Sequence, residues 1–157
     1  MIRYNQLITL RIMDKESNEP IGGILDAIYS EDYRKIDYLL IKRDNIIRNK
    51  FIIPYQYIHI SNNNTVYIKN MEALKDRWEK DFKERFKFID KEIRNEDGEC
   101  IGYIKDIVIN KENGVIDGFI ITEGVLEDLF HGRNYIPLLD STTIKDDCIY
   151  VSNVIIT

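Results

Sequence analysis

Four aspartates recur at matched places in the two halves of this 157-residue chain: Asp26 and Asp37, then Asp106 and Asp117. Paired carboxylates can do general acid–base work when their surroundings push their pKa values apart. These four read instead as turn and strand-end carboxylates that accept backbone N–H groups. Of the two histidines, His59 alternates with apolar residues in Tyr57-Ile58-His59-Ile60 and should point outward from a strand. His131 falls in the segment Asp128–Arg133, no spacing joins it to His59 as a metal pair, and no third ligand is evident. Cys100 and Cys148 form no CxxC pair and read as buried reduced thiols packing as small hydrophobes. No nucleophile elbow surrounds any Ser or Cys, and no glycine-rich phosphate loop is present. The acidic groups Asp14, Glu16, Glu19 and Glu96, Asp97, Glu99 lack the spacing of an EF-hand. The chemistry-bearing residues thus point to no catalytic, cofactor or metal site, and the chain is expected not to be an enzyme.

What the aspartates do mark is an internal repeat. Gly22 precedes Asp26 by 4 residues and Asp37 by 15, and Gly102 precedes Asp106 and Asp117 by the same intervals. Pro54 precedes Tyr67 by 13 and Asn70 by 16, and Pro137 stands in the same relation to Tyr150 and Asn153. Only the stretch from the second aspartate to the proline differs, 17 residues against 20. Self-similarity of this kind signals one supersecondary unit used more than once.

Each copy reads as a series of short strands. Polar turns, Asp14–Pro20 and Arg94–Glu99, precede strands over Ile21–Tyr29 and Ile101–Ile109. Asn113-Gly114 is a strong hairpin signal, because both residues accept positive φ. Second strands follow through Ile36–Ile41 and Val115–Ile121, and third strands end at Pro54 and Pro137, where a missing N–H is tolerated. Two shorter strands close each copy. Ile, Tyr and Phe suit a pleated, half-buried surface, and the spacing of strands and turns reads as a small barrel or sandwich. Gly22 and Gly102, inside strand patterns, mark bends or close backbone approach.

Between the copies, Met71, Leu74, Trp78, Phe82 and Phe86 recur every 3 or 4 residues, with charged residues elsewhere. This predicts an amphipathic linker helix over 71–86, capped by Asn70. Its stripe either packs on the barrels or, through Trp78, meets a partner or a second copy of the chain. The organisation expected is therefore a first barrel over 1–70, the helix over 71–86 and a second barrel over 87–157.

The motif Glu19-Pro20-Ile21-Gly22-Gly23-Ile24-Leu25-Asp26, repeated as Glu99-Cys100-Ile101-Gly102-Tyr103-Ile104-Lys105-Asp106, resembles the PRC-barrel family. So do the hairpin, the strand entered by Ile-Asp and the strand end Ile-Pro that follow each copy. The resemblance implies an all-β protein of two tandem small PRC-type barrels joined by one α-helix. Relatives form the cytoplasmic part of the photosynthetic reaction centre H subunit and the C-terminal domain of a ribosome maturation factor that engages a small-subunit ribosomal protein. The implied role is a non-catalytic docking or adaptor module for a protein partner. The family brings no catalytic or metal-binding residues to carry over.

Candidate contact residues come from the loops. The insertion in the second copy, Gly124–Arg133, places Leu126, Leu129 and Phe130 where a surface loop is expected, and its counterpart carries Ile46 and Ile47. Clustered exposed apolar groups mark interaction sites; the alternative is that they plug a barrel end. Charge is uneven, net +2 over 1–70 and −7 over 87–157, within a total of −5. An acidic chain is a poor non-specific nucleic-acid binder, so association with RNA or the ribosome through the basic stretch Lys42–Lys50 is the second reading. No apolar run approaches the ~20 residues of a membrane span, and residues 1–5 lack a signal-peptide core; the expected compartment is the cytoplasm.

Overall fold

The computed structural model describes residues 1–47, 49–76, 87–122, 135–145 and 148–152. The first half contains β1 (Ile2–Arg3), the one-turn helix α1 (Tyr4–Leu7), β2 (Arg11–Asp14), β3 (Pro20–Tyr29), β4 (Ile36–Arg43), β5 (Lys50–Pro54), β6 (Ile58–Ile60) and β7 (Val66–Ile68). The second contains β8 (Glu92–Arg94), β9 (Cys100–Ile109), β10 (Ile116–Ile121), β11 (Tyr135–Pro137), β12 (Thr143–Lys145) and β13 (Cys148–Tyr150). One sheet has the order β5-β4-β3-β2-β7-β6 and the other β11-β10-β9-β8-β13-β12. These are the same topology, strand for strand, down to a parallel pair in each, β2 with β7 and β8 with β13. The tandem all-β architecture read from the spacing is what the chain forms. The strands β2 and β8 lie upstream of the first turn in each copy and were not part of that reading. Arg11-Ile12-Met13-Asp14 and Glu92-Ile93-Arg94 are too short to carry a period.

The recurring residues mark where each sheet bends. In the first copy the ladder slips by one residue between Ile24 and Asp26 and again across Asp37. In the second it slips at the matched places, between Ile104 and Asp106 and across Asp117. A β-bulge inserts an unpaired residue and sharpens the local twist. Asp26 and Asp106 each follow a bulge, and each carboxylate accepts the next N–H, from Ala27 and Ile107, at 2.8 Å. The carboxylate supplies the bond that the disturbed ladder leaves out. The strand glycines serve the same curvature. A Cβ on Gly22 would collide with the carbonyl oxygen of Lys42, and one on Gly102 would lie 3.1 Å from that of Thr122, the matched residue.

A pseudo-twofold relates the two halves. Lys35 and Val115 are 80 positions apart, as are Gly22 and Gly102, and they form an antiparallel bridge with each other. The Ile36 N–H donates to Gly114 O at 2.9 Å, and the Ile116 N–H donates to Arg34 O at 2.9 Å. These two bonds exchange when the copies are swapped, as in an isologous interface. Gly114 sits at φ +77° with the Tyr55 ring against it, a backbone state that favours glycine. The Tyr55 hydroxyl donates to Lys111 O at 2.8 Å, and the Arg34 guanidinium donates to Leu139 O and Thr142 O at 3.0 and 2.8 Å.

A single apolar cluster runs through both sheets. Phe88 is 1% exposed at its centre. Its ring meets Tyr29 edge-on at 4.8 Å and Phe119 at 5.4 Å, one from each sheet. Burial of such a ring contributes about 1.5–3 kcal/mol. The N-terminal residues tie across the joint. β1 pairs with β9, the Asn5 N–H donates to Asp106 at 3.0 Å, and the Tyr4 hydroxyl donates to Asp26 at 2.6 Å. Lys87 forms an ion pair with the same Asp26.

The expected linker helix differs over its described part. Asn70 does cap a turn, accepting the Glu72 N–H, but the turn is a 3-10 turn over Met71–Ala73. Leu74 is extended, and Lys75 bridges to Ile52. Pairing with an open strand edge outcompetes helix propensity here, because it satisfies two backbone groups of β5. The remainder of the expected helix, 77–86, lies outside the described residues.

Two outcomes follow. Gly22→Ala should lower the melting temperature more than Gly102→Ala, with a loss of about 2 kcal/mol or more for Gly22; equal, small losses would contradict the close approach. Burial pushes the phenols of Tyr4, Tyr29 and Tyr55 upward. A raised folded pKa gives stability that is intact below the unfolded value of about 10 and is lost as pH rises through the folded value. Their phenolate absorbance should therefore appear together with unfolding, above pH ~10. Tyr55→Phe should remove amplitude from that step. Ionisation of these phenols before any loss of structure would contradict it.

Candidate docking surface

The β4–β5 connection builds the most exposed apolar feature among the described residues. The Arg43 N–H donates to Asn49 O at 2.7 Å and the Asp44 N–H to Ile21 O at 3.0 Å, closing the loop base onto β3. Asn45 turns the chain at φ +64°, a conformation Asn tolerates. Beyond it, Ile46 is 41% exposed and Ile47 101% exposed. The two border a shallow hollow of about 520 Å³ with Lys42, Arg43 and Asn49. The base is stiffened by side chains: Arg11 pairs with Asp44, and the Arg43 guanidinium lies over the Phe51 ring at 5.2 Å, a cation–π contact. Two β-branched residues are thus held out into solvent on a braced hairpin.

Trp78, Leu126, Leu129, Phe130 and His131 lie outside the described residues. His59 is exposed on β6, opposite Tyr67. Pro54 and Pro137 end β5 and β11 opposite Tyr38 and Gly118. Cys148 is buried, and that burial pushes its thiol up; Cys100 is only part-buried, and both are free. Glu92 and Arg94 pair between them on the outer face of β8, holding the Glu92 carboxyl below its ordinary value.

The recurring carboxylates divide by place. Asp26 and Asp106 gather around Tyr4 and Tyr29, whose phenols feel both charges. Asp37 and Asp117 lie on the outer faces of the sheets, one 3.9 Å from Lys35 and the other accepting from the Tyr135 hydroxyl. Each is engaged with backbone, a phenol or a lysine. Among the described residues, no three His, Cys, Asp or Glu side chains come together as a metal-binding group. Nor, among those residues, is any helix long and apolar enough to cross a membrane.

Residues that spacing did not single out prove to matter for the joint: Tyr4, Arg34, Lys35, Tyr55 and Phe88. Only Gly114 carried a local signal, in the Asn113-Gly114 turn.

No curated protein matches the chain. The PRC-barrel domain matches residues 1–75 and again residues 80–154, each match covering one of the two equivalent sheets. The chain belongs to the PRC-barrel family and carries its small β-barrel domain twice.

Proposed function

We propose that this protein is a non-catalytic docking module of the cytoplasm that grips a protein partner through the β4–β5 loop, with Ile47 as the anchor. The observation that carries this reading is the full exposure of Ile47 on a hairpin braced by Arg11–Asp44 and Arg43–Phe51. Water around a protruding aliphatic pair is released on contact, and the fixed loop loses little entropy when it binds. The carboxylates that would be needed for acid–base work are occupied at bulges and at the joint, which supports a gripping role over a reacting one.

The ribosome or RNA reading draws on the basic stretch Lys42–Lys50, of which Lys42 and Arg43 line the same hollow. Two of the nearby guanidinium groups are already engaged, Arg11 by Asp44 and Arg43 by Phe51. The net charge of −5 also opposes a phosphate-rich partner. Protein docking is therefore the favoured reading.

Ile47→Asp should leave the melting temperature within ~0.5 kcal/mol equivalent of the parent, as surface substitutions do. The variant should lose a protein that the parent retains from native cytoplasm, identified by mass spectrometry. The reading fails if parent and variant retain the same proteins. Co-sedimentation of both with ribosomal particles at low salt, abolished by added salt, would favour the RNA reading instead.

A further inference from the structure

The pseudo-twofold makes the two sheets comparable residue by residue, and they differ in charge on their outer faces. On the first, Arg11, Gly23, Lys42 and Lys50 form one cross-strand row over β2, β3, β4 and β5. Residues directly opposite in an antiparallel pair share a face, so the three cations project from the same side. All three are exposed. Lys42 stands directly opposite Lys50, a like-charge pairing that destabilises a sheet. Asp44 is engaged by Arg11. Among the described residues, no carboxylate pairs with Lys42 or Lys50. Gly23 keeps the middle of the row low. A Cβ there would meet only the Arg11 guanidinium within 4 Å, at 3.5 Å, an ordinary contact. No close approach requires this glycine, and its effect is an open trough between Arg11 and Lys42.

The second sheet has the same strand order without this row. Its matched residues are Glu92, Tyr103 and Thr122. Glu92 stands opposite Tyr103, and the Thr122 N–H donates to Tyr103 O at 2.8 Å. A carboxylate and a hydroxyl thus take the places of Arg11 and Lys42, and a phenol fills the place of Gly23. The match of Lys50 lies outside the described residues. With an uncharged residue at the place of Lys42, the repulsion across β4 and β5 is not imposed by the topology. The row runs into the β4–β5 loop, and Lys42 lines the hollow beside Ile46 and Ile47.

We propose that this row is a carboxylate-binding trough, and that the partner of the Ile46–Ile47 loop is a protein segment whose acidic residues flank aliphatic ones. The inference rests on the docking reading of that loop and names the partner's chemistry. Acidic side chains of the segment lie over Gly23 and between Lys42 and Lys50, where they offset the like-charge repulsion, while aliphatic neighbours meet Ile47. An ammonium is a compact point charge that suits a single carboxylate. The guanidinium forks that would hold a phosphate on two bonds are taken, Arg11 by Asp44 and Arg43 by Phe51. Exposed charges farther than about 8 Å apart are screened at physiological ionic strength. A short segment confined to the row therefore feels its cations rather than the net charge of −5. An extended polyanion, RNA or an anionic bilayer, also meets the acidic remainder of the chain.

The probe is a labelled synthetic peptide in which glutamates flank a leucine pair, titrated into the full chain by fluorescence anisotropy beside the same peptide with glutamines. The expected result is saturable binding of the glutamate peptide that weakens as salt rises, with the glutamine peptide weaker by about tenfold or more. Lys42→Glu should weaken the glutamate peptide by about tenfold yet raise the melting temperature, because a like-charge pair becomes an opposite-charge one. Gly23→Tyr gives the first sheet the side chain that the second carries. It should block the trough with the melting temperature unchanged or higher, since a strand interior gains from losing a glycine. Ile47→Asp should weaken both peptides and preserve the salt dependence. No binding of the glutamate peptide, or unchanged binding by Lys42→Glu and Gly23→Tyr, would overturn the trough. Equal binding of the two peptides, lost in Ile47→Asp, would overturn the acidic partner while upholding the loop. Salt-dependent glutamate binding that Ile47→Asp does not alter would uphold the trough and remove the loop from it. Retention by phosphatidylglycerol vesicles or single-stranded RNA in preference to the peptide, lost in Lys42→Glu, would assign the row to phosphate instead.

Discussion

The structure hangs on the antiparallel contact between two hairpin ends, Lys35 against Val115, flanked by Ile36 to Gly114 and Ile116 to Arg34. A sheet of this size buries too little apolar surface to be secure alone, since a unit of ~60 residues hides only about 60% of what its unfolded chain exposes. Joining two equivalent sheets through these hairpin ends lets one apolar cluster run through both, with Phe88 between Tyr29 and Phe119. The charged bracket of Tyr4, Asp26 and Lys87, and the Asn5 bond to Asp106, close over the same joint. The aspartates that first look like chemistry are part of this mechanical device.

Curvature is achieved by the same means in each copy. One bulge precedes Asp26 or Asp106, another falls on Asp37 or Asp117, and a glycine lets the next strand cross closely. Because every bend is made twice, the outer faces start equivalent and have diverged. One carries a buried cluster and its edge is continued by Lys75; on the other, the matched Val108, Ile120 and Tyr135 are part-exposed among the described residues.

The chain is read well where a constraint is local. Gly22 and Gly102 stand out because a neighbouring strand passes close to each, closest at Gly22; Pro54 and Pro137 because they cannot donate; Asn113-Gly114 because it must turn. The Ile46–Ile47 loop was legible as an apolar pair where polar residues are expected, and both side chains are exposed. The stretch after Asn70 misled over Met71–Asp76, since its 3.6-residue period is real but the open edge of β5 recruits Lys75 into pairing.

Sequence by itself determined the repeat, the longer strands and the family, because turn residues, strand patterns and their spacing are set by residues near one another along the chain. Tertiary structure alone decided that the copies meet at Lys35 and Val115, that Phe88 fills the space between them, and that Lys75 joins the edge of β5. Those outcomes depend on side chains brought together across up to 100 or so residues, and no spacing along the polypeptide encodes which distant surfaces will touch.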